Sequence, residues 1–406
     1  MTIIANKILK DNLNDRDRFL ISLMSLWLFV DCLNGFFINT GIPIPISPIF
    51  KSSIILLIVC CQIRYKKLID TAVFFFLYLF SYGIIVMFGD ASFGQSVSLL
   101  IKPITTLLIF YYFVFLFRTY KTDLVVKSII RIFKVNTLVF CSNILLGLVG
   151  IGYRSYEGEN PMGFCGFFYS PNELSGVVAV IFPLILTYVK VKKTLMAYIA
   201  TIMLLGIITF LLSTKAPLLS LLISVILISY FYGKRKEKRL VIMITAILFL
   251  TVFTYVQSII SSNIGIMQRL NYFIEKEGIL FAITSGRLEY WREESVDFYN
   301  ANIIHKIFGL GGNRTVEMDI FDILLNCGII GLFFLLAIYK KMLFDPFKVK
   351  LNPFTKAVLV SNILLVFMSI ISGHILFSSM AGLFIAMSNS LLLSMSSYTI
   401  SDFKKA

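Results

Sequence analysis

The stretch EMDIFDILLNCGIIGLFFLLAI, residues 317–338, places three carboxylates at the mouth of a long apolar run. The run from Ile320 to Ile338 is long enough to cross a membrane, since about 20 apolar residues span the hydrocarbon layer as a helix. Capping and the helix dipole favour acids at a helix N-terminus and explain at least one of Glu317, Asp319 and Asp322. Three acids near several arginines exceed what capping requires, and one of them could serve as a general base on a hydroxyl.

The remainder of the chain has the composition of a membrane protein. Of its 406 residues, 58% are hydrophobic and 15% are charged, whereas a soluble domain carries roughly a quarter charged residues. Apolar runs recur between short basic clusters, which predicts helices rather than a β-barrel. The net charge of +15 lies mostly in those clusters. Because this pattern orients membrane helices, we expect no nucleic-acid partner.

The alternation of apolar runs and basic clusters predicts an all-α polytopic membrane protein of about 12 transmembrane helices, with both termini cytoplasmic. Residues 1–406 then form a single integral membrane domain. Two polar segments fall on the extracytoplasmic side, a short loop at residues 152–173 and a long one at residues 261–318. We expect the scaffold to hold both segments over a common pocket.

An amphipathic helix is predicted within the long loop, because its apolar and acidic residues fall on opposite faces. The apolar face carries Leu288, Trp291 and Phe298, and the acidic face carries Glu289, Glu293 and Asp297. This pattern is typical of a helix lying on the membrane surface. Arg287 stands at its start, where the helix dipole disfavours a cation. A bound anion would explain that placement.

Several basic residues depart from the orienting pattern and lie on the outer side or at membrane depth. They are Lys51, Lys102, Arg154, Lys215, Arg269, Arg287, Arg292 and Arg314. A cation near the hydrocarbon is costly unless it is paired, so each is a functional candidate. Lys102 could instead snorkel to the interface, and Lys215 could anchor a tight turn as readily as bind a ligand.

The short loop combines Arg154 with glycines and aromatic rings. A guanidinium grips phosphate oxygens in bidentate fashion, which favours a binding role for Arg154. For Phe167, Phe168 and Tyr169 an aromatic belt at the membrane interface is favoured over sugar stacking. The sequence Ser-Pro-Asn at 170–172 predicts a turn and a helix cap.

Neither the cysteines nor the histidines indicate a metal site. Most of the 6 cysteines fall inside apolar runs, as small buried packing residues do, and no metal-ligand spacing or disulfide framework is visible. His305 and His374 are far apart in sequence, although His374, near an outer hairpin turn, could line the pocket. We therefore expect no metal and no cofactor.

Three motifs, in this order, are similar to the O-antigen ligase and repeat-unit polymerase (Wzy-type) superfamily. They are Gly163–Leu174, Ser285-Gly286-Arg287, and Glu317–Leu325 followed by Gly328 and Gly331. The resemblance implies a membrane fold like that of GT-C glycosyltransferases. Where the ligases of that family commonly carry a histidine, this chain has Glu317, which favours a polymerase of O-antigen or capsule repeat units.

The resemblance also implies the chemistry. The donor is a glycan on undecaprenyl diphosphate, and the acceptor is a hydroxyl of a second lipid-linked repeat unit. Arg154 and Arg287 would hold the diphosphate and stabilise developing charge, and Glu317 or Asp319 would orient or deprotonate the hydroxyl. The remaining candidates for substrate binding are Lys215, Asn172, Arg314, His374 and Trp291.

The same resemblance predicts a bacterial inner-membrane protein with an extracytoplasmic site, acting with a flippase and a chain-length regulator as possible partners. Two alternatives stay open at this point. One is a ligase that transfers the glycan to another acceptor, and the other is a transporter that flips a lipid-linked sugar. Transporters often show repeated halves and broken midplane helices, and no clear internal repeat is visible.

Overall fold

The computed structural model describes residues 9–42, 44–61, 93–156, 163–232, 239, 243, 284, 286–310, 316–344, 353–371 and 373–394. Within these residues the chain is helical, and its β-structure is limited to two isolated bridges. The helices of the N-terminal half are α1 (Asp15–Ser25), α2 (Trp27–Asn39), α3 (Ile46–Cys61), α4 (Phe93–Thr119), α5 (Thr122–Leu145), α6 (Pro171–Lys192), α7 (Leu195–Leu212) and α8 (Lys215–Tyr232). Those of the C-terminal half are α9 (Arg287–Asn300), α10 (Ile303–Phe308), α11 (Asp319–Leu343), α12 (Pro353–Ile371) and α13 (Ser379–Ser394).

Six helices among the described residues are long and apolar enough to cross a membrane. They are Ile101–Thr119, Thr122–Val149, Pro171–Lys192, Leu195–Leu212, Lys215–Tyr232 and Asp319–Ala337. The bent pair α1–α2 makes a seventh if it counts as one span. The prediction of an all-helical polytopic membrane protein is confirmed. The total of about 12 spans stays a prediction, because the predicted spans at 72–88 and 240–260 lie outside the described residues.

The bend between α1 and α2 has a visible cause. The two helices meet at 47° around Leu26, which leaves backbone groups without helical partners. Asn136 of α5 satisfies two of them, because its Oδ1 accepts from Leu28 N at 2.8 Å and its Nδ2 donates to Met24 O at 3.1 Å. The bend is therefore built into the packing of α1 and α2 on α5.

Helices α4, α6, α12 and α13 form the centre of the molecule, where α4 packs along α13 and α6 along α8, α12 and α13. Small residues permit these close approaches. A Cβ placed on Gly176 of α6 would lie 2.8 Å from Ile375 O, and one on Gly382 of α13 would strike Thr106 of α4. This packing brings the N-terminal ends of α6 and α13 together beside the start of α11.

The predicted start of a helix at Ser170–Asn172 is confirmed, although the Ser170 side chain makes no capping hydrogen bond. The helix begins at Pro171 with Ser170 in the N-cap position and an extended backbone. Proline is favoured in the first turn because its missing N–H has no helical acceptor to lose. Asn172 and Glu173 are thereby fixed in that first turn, near the loop before α13.

The predicted amphipathic helix is confirmed as α9, and its apolar face packs on protein. Phe298 is buried with Val316, Met318 and Leu325, and the Trp291 ring lies 4.3 Å from that of Phe321. On the acidic face Glu293 and Asp297 are exposed and Glu289 is partly buried. Helix α9 is thus docked against the first turns of α11, and its contact with a membrane surface stays a prediction.

The prediction of one continuous helix from Ile320 to Ile338 is wrong in one detail. Helix α11 is broken at Gly328, which has φ 66° and ψ −171°. The segment after α10 crosses the helix at this point, and Leu310 N donates to Leu325 O at 2.8 Å. A Cβ on Gly328 would strike Ile307 O, and one on Gly309 would strike Asn326 O. Glycine is needed at both positions, since no side chain fits this crossing.

Candidate functional site

Glu317 stands immediately before α11 with its backbone in the left-handed region (φ 56°). This conformation is unfavourable for a residue with a side chain, and such strain is found most often at functional sites. Its side chain is 45% exposed, and its Oε2 accepts a hydrogen bond from Arg287 Nη2 at 2.8 Å. A strained, accessible and paired carboxylate therefore lies at the mouth of a membrane helix.

Arg287 is the partner of Glu317 and is itself mostly buried. It is the first residue of α9, after Gly286 in the left-handed conformation (φ 82°). A cation is unfavourable at a helix N-terminus, and the sequence analysis expected a bound anion to compensate. The structure supplies an anion from the chain itself, because the carboxylate of Glu317 occupies that place.

Neighbouring segments fix the backbone of Glu317 from two sides. A Cβ on Gly373 would collide with the Glu317 backbone, so the loop before α13 lies directly against it. Val316 N donates to Asp322 Oδ1 at 2.6 Å. Asp322 therefore uses one carboxylate oxygen to hold the approach to Glu317, as a capping acid does.

Asp319 is buried and fully engaged with backbone. Its Oδ1 accepts from His374 N at 2.7 Å, and its Oδ2 accepts from Ile375 N at 3.0 Å and Leu376 N at 2.6 Å. His374 has a left-handed backbone (φ 61°), a conformation that these bonds help to hold. The carboxylate of Asp319 thus organises the loop that abuts Glu317.

The same loop is tied to α4 and α6 through a residue that the sequence analysis did not select. Glu173 Oε2 accepts from Ser378 Oγ at 2.8 Å, and its Oε1 lies 3.0 Å from Lys102 Nζ. Lys102 is therefore ion-paired, whereas the snorkelling alternative requires no protein partner for it. The two partners are far apart in sequence. Glu173 could have been predicted from the sequence, because it is an acid in the first turn of a predicted span and Lys102, a cation near the same side of the membrane, requires a partner.

Another ion pair joins Lys51 to Asp31, which lies inside the first predicted span. Lys51 Nζ lies 2.7 Å and 2.9 Å from the two oxygens of Asp31 and 4.9 Å from the centre of the Trp27 ring. Both side chains are almost completely buried. The sequence predicts Lys51 as a cation in need of a partner, and the structure identifies that partner as Asp31.

The short loop folds onto the turn between α7 and α8. Phe164 N donates to Leu211 O at 2.6 Å, and a Cβ on Gly163 would approach Ser213 to 2.8 Å. Arg154 is exposed, and its guanidinium lies 4.1 Å from the centre of the Phe164 ring. Lys215, at the start of α8, is also exposed. The structure thus brings the loop of Arg154 to the turn that carries Lys215.

The aromatic residues of that loop do not behave alike. Tyr169 is exposed, as an interface residue would be, but Phe168 is completely buried and packs against Phe140 with ring centres 6.3 Å apart. The expectation of a common membrane-interface belt is therefore wrong for Phe168, which belongs to the core.

The candidate residues fall into two groups. Arg287, Glu317, Trp291, Asp319 and His374 gather around the start of α11, and Arg154 lies with the turn of Lys215. Asn172 is partly buried in the first turn of α6. Arg314 lies outside the described residues. A single pocket lined by both groups stays a prediction.

Metal ligands are not gathered anywhere in the part of the chain that the structure describes. Among those residues, no group of three or more His, Cys, Asp or Glu side chains is placed to hold a metal ion. Metal independence itself stays a prediction.

Helical spans, a broken helix and a strained carboxylate–arginine pair define the protein as a polytopic membrane protein with a polar site at the end of its helical bundle. A family model described as "O-antigen ligase like membrane protein" matches residues 14–278, which is more than half of the chain, and the protein belongs to this family. Searches of curated proteins and of solved structures returned no match. Membership indicates a lipid-linked glycan-processing membrane protein with glycosyltransferase-like activity. The matched region contains Arg154, Asn172 and Lys215, whereas Arg287 and Glu317 follow it.

Proposed function

We propose that this protein is a polymerase of undecaprenyl-diphosphate-linked oligosaccharide repeat units, of the O-antigen or capsule type. It would transfer the growing glycan from its lipid diphosphate to a hydroxyl of a new lipid-linked unit. The observation that carries the proposal is the Arg287–Glu317 pair. In this pair the half-exposed side chain of Glu317 bonds the mostly buried guanidinium of Arg287. The backbone of Glu317 is in the left-handed region, and the pair lies at the N-terminal end of α11.

The reaction needs a base and a leaving group. The diphosphate linkage of the donor supplies the energy, so no nucleotide is consumed. Glu317 takes the proton from the acceptor hydroxyl, whose oxygen forms a new bond to the anomeric carbon of the donor glycan. The bond from that carbon to the diphosphate oxygen breaks, and undecaprenyl diphosphate leaves with the electron pair. A positioned carboxylate base contributes about 10²–10⁴-fold to such a step.

Arg287 has two roles in this scheme. In the free protein it orients the carboxylate of Glu317 by a charge-assisted hydrogen bond. When the donor binds, the guanidinium is placed to share its donors with the diphosphate and to stabilise the charge that develops on the leaving group. Arg154 and Lys215 lie outside this pair and would hold other parts of the lipid-linked substrate, together with Asn172, Trp291, His374 and Arg314.

The setting of the reaction belongs to the same proposal. The protein would lie in the bacterial inner membrane with about 12 spans in a GT-C-like arrangement, both termini cytoplasmic and the site on the extracytoplasmic face. No metal is required, because Arg287 and Glu317 supply the charge stabilisation and the base. A flippase would deliver the substrate and a chain-length regulator would act on the product.

The proposal is tested by complementing a strain that lacks this gene and scoring its glycan on a gel. Wild type restores a ladder, whereas Glu317→Gln and Arg287→Ala leave single repeat units at normal protein levels. Glu293→Gln, an exposed acid on α9, is the matched control and keeps the ladder. Long chains that persist without the gene but stay unattached would indicate a ligase. Loss of even single units on the outer face would indicate a transporter.

A further inference from the structure

Lys102 and Lys51 lie on neighbouring helices, and both ion pairs reach the start of α13, at Ser378 and Ser379. Their surroundings differ. Lys51 is 7% exposed and contacts both oxygens of Asp31, with Ser379 Oγ at 3.4 Å and the Trp27 ring beside it. An ammonium group has three donors, and these partners occupy them. Lys51 is therefore a structural residue.

Lys102 is only partly enclosed. Its side chain is 37% exposed, while that of its partner Glu173 is 12% exposed. Among the described residues, Glu173 Oε1 is its one hydrogen-bond acceptor, at 3.0 Å. An ammonium with one such partner retains donors for a further anion. A cation held in this way at membrane depth is a functional candidate by default.

The position of Lys102 connects it to the candidate site. Glu173 is fixed by Ser378 Oγ, and Ser378 follows the loop whose N–H groups bind Asp319. Lys102 therefore belongs to the same polar centre as the loop that abuts Glu317.

We propose that Lys102 is a phosphate ligand of the lipid-linked donor, held ready by Glu173 and Ser378. The inference rests on the function proposed above, because it assigns a further residue to the diphosphate of that substrate. The lipid carries its diphosphate at the membrane surface, which is where a lysine near the end of a span can reach it. Lysine binds phosphate as a point charge, without the bidentate geometry of arginine.

The direct test measures binding of undecaprenyl diphosphate to the purified protein in dodecyl maltoside. A charge-assisted hydrogen bond contributes about 1.5–3 kcal/mol, so Lys102→Gln should raise Kd by roughly 10-fold or more. Lys102→Arg, which keeps the charge, should bind within a few-fold of wild type. Lys127→Gln, at an exposed position on α5, is the matched control and should leave Kd unchanged.

Three outcomes would overturn the inference. Equal affinity of Lys102→Gln and wild type would mean that Lys102 does not contact the diphosphate. Competition by phosphatidylglycerol as strong as that by undecaprenyl diphosphate itself would assign the site to bulk lipid headgroups. A loss of affinity in Lys102→Arg equal to that in Lys102→Gln would show that side-chain shape, not charge, is what matters.

A charge swap separates binding from structure. The double variant Lys102→Glu/Glu173→Lys preserves an ion pair, so a purely structural role predicts that it restores the thermal stability, the binding and the glycan ladder. The proposal predicts restored stability relative to Lys102→Glu alone, with binding and ladder both lost. If the swap does not fold, the comparison of Lys102→Gln with Lys102→Arg still decides.

The two proposals fail in different ways. A wild-type protein that does not bind undecaprenyl diphosphate would contradict the proposed function itself. A wild type that binds it, beside a Lys102→Gln variant that binds it equally well, would contradict the role of Lys102 alone.

Discussion

Two carboxylates separated by a single residue do different work at the start of α11. Asp319 lies on the first helical residue, buried, with three backbone N–H groups bonded to its oxygens. Glu317 lies outside the helix on a left-handed backbone, half-exposed and bonded to Arg287. We infer that Glu317 is the base and Asp319 the positioning residue. The sequence alone does not distinguish the two acids, because the contact of Gly373 with the Glu317 backbone joins parts of the chain that are distant in sequence.

The two carboxylates should respond differently to neutral substitution. Asp319→Asn removes a buried charge-assisted acceptor of three N–H groups and should cost about 1–3 kcal/mol of stability, seen as a lower melting temperature. Glu317→Gln keeps an acceptor for Arg287 Nη2 and loses only the countercharge of a half-exposed group. It should therefore melt closer to wild type than Asp319→Asn does, and lose about 10²–10⁴-fold in turnover. An Asp319→Asn variant with wild-type melting and no turnover would instead make Asp319 the base.

Arginine at position 287 is needed for its geometry as well as its charge. Arg287→Lys keeps the positive charge but loses the forked donor group. It should therefore give a ladder shorter than that of wild type, whereas Arg287→Ala leaves single repeat units. Arg131→Ala, an exposed arginine on α5, serves as the control. A lysine variant that also leaves only single repeat units would show that the forked donor group, and not the charge, is what the reaction needs.

At the scale of elements, helices with strong local signals were predictable and their interruptions were not. Proline in the first turn marks the start of α6, and opposite apolar and acidic faces mark α9. The break in α11 was missed because it exists only where Gly309 crosses the helix at Gly328. The burial of Phe168 was missed for the same kind of reason, since Phe140 reaches it from another helix.

The crossing predicts a sharp difference between two glycines. Gly328 has a left-handed backbone, and Gly328→Ala places a Cβ against Ile307 O. The segment that crosses α11 must therefore move, and we expect the region around Glu317 to be disturbed as well. We expect a clear loss of stability and of glycan chain length. Gly206→Ala, where nothing lies within 4 Å of the new Cβ, should be neutral or stabilising by about 1 kcal/mol because alanine favours the helix interior. A fully active, stable Gly328→Ala variant would contradict the tight crossing.

At the scale of the whole molecule, ion pairs and hydrogen bonds join segments that are distant in sequence. Asp31 meets Lys51, Lys102 meets Glu173, and Glu317 meets Arg287. The sequence indicates that a cation within a membrane span requires a partner, but it does not identify the acid that pairs with each cation. The class of protein was therefore accessible from the sequence, whereas the network that shapes the site was not.

The predicted orientation in the membrane can be tested at the two ends of α6. Tyr169, before the helix, and Lys193, after it, are both exposed. In a cysteine-free background, Tyr169→Cys should react with an impermeant maleimide on intact cells. Lys193→Cys should react only after permeabilisation, because its basic cluster is expected on the cytoplasmic side. The reverse pattern would place the predicted loop of Arg154 inside the cell and exclude an extracytoplasmic reaction there.

We propose that Glu317, held by Arg287, catalyses transfer between two lipid-linked repeat units. The most direct measurement uses the purified protein with a synthetic undecaprenyl-diphosphate repeat unit and follows chain length and released undecaprenyl diphosphate together. Wild type should lengthen the glycan and release one lipid diphosphate per bond formed, and Glu317→Gln, folded equally well, should do neither at a measurable rate. Unchanged turnover in Glu317→Gln, or a wild type that releases no lipid diphosphate, would contradict this account.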